Sequence, residues 1–197
     1  MRGRPREFDP DSALDHVLPV FWRDGFEGAS VQGLADAAGV AKPSLYAAYG
    51  NKEALYLAAL KRYAQRYAAQ RVEAFNAETN GREAIRGYLR SSVEAYTDPT
   101  HPSGCLIVMG LTACESASLP YAVRAALCAT MRAASEQIEH RLERAKADGQ
   151  LSQLADTGAM AAYISTVLAG LSVQAKSGAP RETLLQVIDE AMRGWPE

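Results

Sequence analysis

Cysteine is scarce. The chain has three, Cys105, Cys114 and Cys128, far apart and without a CxxC pair. That spacing argues against a structural zinc site, and the odd number argues against a closed disulfide framework. Histidine is equally rare, and His16, His101 and His140 are too scattered to pair with one another or with a nucleophile. No glycine loop suited to phosphate and no metal-ligand spacing occurs, so neither catalysis nor a cofactor or metal is expected. Charge of one sign is missing too: the net charge is −2 and the pI about 6.0, which excludes a polybasic nucleic-acid binder. No run reaches the roughly eighteen continuous apolar residues of a membrane span. Arg2, Arg4 and Arg6 are not followed by an apolar stretch, so no signal peptide is visible and a cytoplasmic location is expected.

What is present points to helices. Hydrophobic residues make up 48% of the chain, enough to bury a core, while aromatics reach only 8% and alanine is abundant, as in helix-on-helix proteins. A length of 197 residues suits one domain or two small ones. The most organised stretch is SVQGLADAAGVAKPSLYAAYGNKEAL, from Ser30 to Leu55. Ser30 is a good N-cap, and Val31, Leu34, Ala35 and Ala38 then share one helical face. Gly39 stands where a helix ends in a left-handed residue, and Val40 pins the turn. Pro43 suits the first turn of a second helix, which reaches about Tyr49 before Gly50 stops it and Asn51 caps the next.

Two short helices joined by a glycine turn make a helix-turn-helix. The second is too short to serve mainly for packing, and its outward Lys42, Ser44 and Tyr46 can donate to phosphates or base edges. A plain helical hairpin would show the same pattern. The arginines before it, a capped three-helix unit and a long helix directly after it favour DNA reading. Residues 1–52 carry Arg2, Arg4, Arg6, Arg23, Lys42 and Lys52 against Glu7, Asp9, Asp11, Asp15, Asp24, Glu27 and Asp36, so placement of charge, not its total, must make the DNA face.

Residues 21–60 resemble the DNA-binding domain of the TetR (tetracycline-repressor) family. The likeness rests on Phe21, Trp22, Gly25, Ser30, Leu34, Ala35, Ala38, Gly39, Val40, Ser44-Leu45-Tyr46, Tyr49-Gly50 and Lys52-Glu53-Ala54-Leu55. It implies an all-α fold of about nine helices, with a helix-turn-helix domain over 1–50 and a helical effector-binding and dimerisation domain over 51–197. It implies a repressor that binds a near-palindromic operator as a homodimer and releases it on meeting a small effector. The expected DNA contacts are Arg2, Arg4, Arg6, Ser30, Lys42, Pro43, Ser44, Tyr46, Tyr49 and Lys52. The basic arm would reach into a minor groove. One departure matters: many relatives have serine or threonine where this chain has Ala41, so a capping hydroxyl that also touches phosphate is absent.

Elsewhere the pattern is helical throughout. Helix one starts at Asp9 and Pro10 with Leu14, Val17, Leu18, Phe21 and Trp22 inward, and Pro19 should kink it. Helix four is read as one rod from Asn51 to about Thr79, carrying Tyr56, Leu60, Tyr63, Tyr67 and Phe75. Helix five follows Asn80-Gly81. TDPTHPSG over 97–104 is a loop with a solvated His101, and Cys105–Ser116 opens a short buried helix. Helix seven is capped by Ser118 and ends at Gly149. Helix eight starts at Asp156 and ends at Gly178, and Pro180 opens helix nine.

An apolar pocket among helices four to eight, implied by the resemblance, would be lined by Tyr63, Tyr67, Tyr88, Tyr96, Cys105, Met109, Met131 and Tyr163. So many tyrosines suit a hydrophobic or aromatic effector with hydroxyl handles. Helices eight and nine are apolar on more than one side. Their Ala162, Ser165, Ala169, Ser172, Val173, Leu184, Ile188 and Met192 are read as a four-helix dimer seam. Two alternatives stay open: a trigger at Cys105, beside a flexible glycine loop, sensing oxidants or electrophiles, and a helical dimer that binds a partner without DNA.

Overall fold

Local capping explains where the chain turns. The computed structural model describes residues 9–112 and 119–196; Arg2, Arg4, Arg6, Cys114 and Ser118, on which expectations rest, lie outside them. Ten α-helices and one π turn form among the described residues: α1 Pro10–Gly28, α2 Val31–Ala38, α3 Lys42–Tyr49, α4 Lys52–Tyr63, the π turn Ala64–Ala68, α5 Ala69–Ala77, α6 Gly81–Tyr96, α7 Leu106–Thr112, α8 Tyr121–Ala147, α9 Thr157–Lys176 and α10 Arg181–Arg193. Asp9, Ser30, Asn51, Asn80 and Asp156 each accept a backbone N–H at the start of a helix. Gly39 closes α2 in the left-handed region at φ 67°, where a residue with a Cβ is strained.

Two expectations about helix shape are corrected. Pro19 sits inside a helix that continues past it. The break in α1 comes at Gly25, with φ 72° and ψ −177°. Proline removes one hydrogen bond but keeps a helical φ, whereas glycine adopts a left-handed φ at little cost. The rod expected from Asn51 to Thr79 is interrupted by the π turn, where the Ala69 N–H reaches back five residues to the Ala64 carbonyl. Nine expected helices therefore become ten.

One contiguous core runs from Leu14 to Met192. In its N-terminal part Phe21 meets Tyr56 edge-on, with ring centroids 5.0 Å apart, so α4 packs directly on α1. The two are also clamped by charge. Arg62 makes two bonds to the Asp15 carboxylate at 2.8 and 2.9 Å, and Arg66 approaches the same group at 3.0 Å. Farther along, Gly104 (φ 80°) passes so close to α9 that a Cβ would lie 2.9 Å from the Ser172 carbonyl oxygen. The segment before Cys105 is thus tightly packed, not a flexible loop. The next N–H, that of Cys105, donates to the Ser172 hydroxyl at 2.8 Å.

α9 is apolar along much of its length. By length and composition it is apolar enough to cross a membrane, yet only 28% of its most apolar window is buried in the protomer. Ala162, Tyr163 and Val173 lie exposed on its outward side.

Candidate nucleic-acid interface and effector cavity

Leu45 is the single buried residue of α3, fully enclosed, and it pins that helix to the domain. Most of the rest of α3 lies at the surface. Lys42, Pro43, Ser44, Ala47 and Ala48 are exposed, and Tyr46 is half-buried. Ala41 occupies the N-cap in extended geometry without a side-chain bond. Ser30 is exposed but its oxygen accepts the Gly33 N–H at 3.0 Å, so the same hydroxyl caps α2 and keeps its proton for another partner.

Two expected DNA ligands are already engaged. The Tyr49 hydroxyl donates to the Pro10 carbonyl at 2.5 Å, tying α3 to the start of α1. Its proton is committed within the fold, so the hydroxyl has none to offer a phosphate while that bond holds. Lys52 donates to the Glu27 carbonyl at 3.4 Å and lies 4.8 Å from the Phe26 ring centroid. Burial holds its ammonium below the ordinary lysine range, against the pull of Glu27. Lys52 thus staples α4 to the end of α1 first.

Between this domain and the rest lies an aromatic junction that sequence reasoning missed. Trp22 stacks on His101 (4.5 Å, 20°) and meets Tyr63 and Tyr67 edge-on at 4.8 and 5.1 Å. Its indole N–H donates to the Gly104 carbonyl at 3.2 Å. The His101 side chain is only 7% exposed, which corrects its reading as solvated. A histidine between two prolines gave no periodic signal, and only the fold brings it against Trp22.

Beside this junction a cavity of about 290 Å³ opens between the connector made of α4, the π turn and α5, and helices α6, α7, α8 and α9. Of the expected lining residues, Tyr63, Tyr88, Tyr96, Cys105 and Met131 are there. Tyr67 is not, because the π turn rotates it into the aromatic junction. Met109 packs against the core instead, and Tyr163 faces outward, 53% exposed. Burial, more than any other cause, pushes the hydroxyls of Tyr63, Tyr88 and Tyr96 above the ordinary phenol range, so they stay protonated donors. The Tyr63 hydroxyl donates to the Cys105 sulfur at 3.4 Å. Among the lining residues missed from the sequence, Arg71 is the charged one; the π turn that takes Tyr67 out of the cavity also breaks the helical spacing that would have pointed to it.

The expected dimer seam divides into three groups. Ala162 and Val173 are exposed on α9, as a seam requires, alongside Tyr163 and, on α10, Val187. Ser165 and Ala169 face the cavity. Ser172, Leu184, Ile188 and Met192 are buried inside the protomer, which corrects their assignment to the surface. An amphipathic helix with small residues on two sides does not reveal which side meets its own core.

Comparison with known proteins gives a consistent picture. The family profile described as "Bacterial regulatory proteins, tetR family" matches residues 14–59, and "Tetracyclin repressor-like, C-terminal domain" matches residues 81–191. The HTH-type transcriptional repressor ComR of Escherichia coli (strain K12) is 31% identical, over 100% of this chain and 93% of its own length. The HTH-type transcriptional regulator YezE of Bacillus subtilis (strain 168) is 33% identical, over 96% of this chain and 97% of its own. Among solved structures, a cysteine mutant of the regulator CifR complexed with 26-bp double-strand operator DNA is similar at TM-score 0.93 and 40% identity, covering 98% of this chain and 100% of that one.

Proposed function

This chain belongs to the TetR family of DNA-binding transcriptional regulators, and from that premise we propose that it is an effector-released homodimeric repressor. Two copies clasp through the outward faces of α9 and α10 and present their α3 helices to successive major grooves of a near-palindromic operator. Lys42, Ser44 and Tyr46 read or grip the DNA, with Ser30 beside them and the arginines of the N-terminal arm adding affinity. A small apolar or aromatic molecule enters the cavity of each protomer and favours the spacing of readers that does not fit the operator. Such a protein works in the cytoplasm.

The observation that carries this reading is the junction between cavity and reader. Tyr63 lines the cavity and its ring also packs on Trp22 of α1. A ligand that displaces Tyr63 therefore pushes on the helix to which α4 and the reading unit are fixed. The test is footprinting of purified protein across the DNA flanking its gene, followed by fluorescence anisotropy with the protected fragment. Expected are one protected near-palindrome and steep loss of affinity with salt. A monomeric protein, or one indifferent to every flanking duplex at low ionic strength, would overturn the reading.

A second reading has one observation in its favour. Cys105 lies in the cavity wall and receives a hydrogen bond from Tyr63, so modification of its thiol would disturb the same junction. A Cys105→Ser variant that still releases DNA on oxidant treatment excludes it.

A further inference from the structure

The polar part of the cavity wall is lopsided. Among the described residues that line it, Arg71 is the one of permanent charge and none is a carboxylate. One nitrogen of its guanidinium donates to the Tyr67 carbonyl, a turn back, but its Nε–H is buried without a hydrogen-bond partner. On the α9 wall the Ser165 hydroxyl is likewise buried and unpaired. Arg71 also borders two surface grooves, one holding Glu78 and Glu83 and the other Glu94 and Asp98. Every ion pair among the described residues nevertheless leaves Arg71 out.

The guanidinium is part-buried, and leaving its enclosed Nε–H without an acceptor carries a cost that a bound anion would relieve. Among the described residues the cavity wall offers no acid to fill that place, so an entering ligand can. Resting on the effector reading above, we propose that the cavity binds a carboxylic acid: a small amphiphile whose carboxylate pairs with Arg71 and whose hydrocarbon or aromatic body lies along Ile107, Met131 and Leu168. The planar carboxylate fits the guanidinium fork, and the protonated hydroxyls of Tyr88 and Tyr96 are further donors for it. A phosphate monoester would bring a second negative charge with no second cation among the lining residues. An amine would meet Arg71 as a like charge. Because the guanidinium also holds the Tyr67 carbonyl, and Tyr67 packs on Trp22, a carboxylate that draws on Arg71 acts on the junction beside α1.

The test is isothermal titration calorimetry of the full chain, without DNA, using octanoate and 4-phenylbutyrate against octanamide and 4-phenylbutyramide. Each amide keeps the body and removes the charge. At least one acid is expected to bind about tenfold or more tightly than its amide. Arg71→Met should erase that preference and leave amide binding unchanged, while Arg71→Lys should keep part of it. Circular dichroism confirms the fold of each variant. If Arg71→Met does not fold, Arg71→Gln takes its place, with the same loss of preference expected. Neither acid binding, acid and amide binding alike, or a preference that survives the loss of charge would each overturn the proposal. An acid that binds but leaves the operator complex intact would retain this inference and sink the effector reading. Release of DNA by both amides at the acids' concentrations would do the reverse.

Discussion

At the head of α3 the chain has Ala41, whose backbone already takes the extended geometry of an N-cap but whose side chain accepts nothing. A hydroxyl there needs no rearrangement. Ala41→Thr should stabilise the protein by about 1 kcal/mol, seen as a higher melting temperature, and should tighten operator binding by adding a phosphate donor. An unchanged melting temperature would show that the cap is not available. Asp15 is the complementary case, a residue whose bonds are all in place. Its hydrogen bond with Arg62, ahead of the opposing effect of burial, holds its carboxyl below the ordinary 3.8. A carboxyl depressed on folding stabilises the protein fully above its ordinary value and loses that contribution as pH falls through its folded value. Asp15→Asn should therefore melt below the wild type at pH 7, and the gap should close as the pH drops beneath 3.8. A gap of constant size down to pH 3 would contradict the clamp.

Among the elements, the connector matters most. α4 carries Tyr56 toward the reading domain, the π turn aims Tyr67 at Trp22, and α5 sets Arg71 in the cavity wall. A π turn holds an extra residue, with looser packing inside the helix, and such turns recur at functional sites. Hydrogen exchange should find the amides of 64–68 less protected than those of 52–63. Deleting the exposed Gln65 should convert the turn to α-helix, preserve the flanking faces and slow that exchange to the level of α4. Equal protection in the wild type would remove the π turn as the yielding point of the connector.

For the molecule as a whole, α9 is decisive because it serves two environments. Ser172 faces inward, fully buried and bonded to Cys105, while Val173, its neighbour, is 39% exposed. Val173→Asp should leave a folded protomer that elutes as a monomer and binds the palindrome far more weakly, since two linked half-sites gain from each other's proximity. Multi-angle light scattering and anisotropy check both. A dimer that persists would move the seam elsewhere.

The helix ends were readable because capping is local: Asp9, Ser30, Gly39, Asn51, Asn80 and Asp156 act within one turn of themselves. The helix-turn-helix, the all-α class and most of the core stripes follow from the same short-range chemistry. What the sequence left undecided were matters of direction. The face of α9 toward its own core, the rotation that takes Tyr67 out of the cavity, and the partners of Tyr49, Lys52 and His101 all depend on distant residues. Periodicity places a side chain on a helix face but says nothing of what lies opposite. Only tertiary packing brings Trp22 to His101 and leaves the Arg71 Nε–H buried without a hydrogen-bond partner.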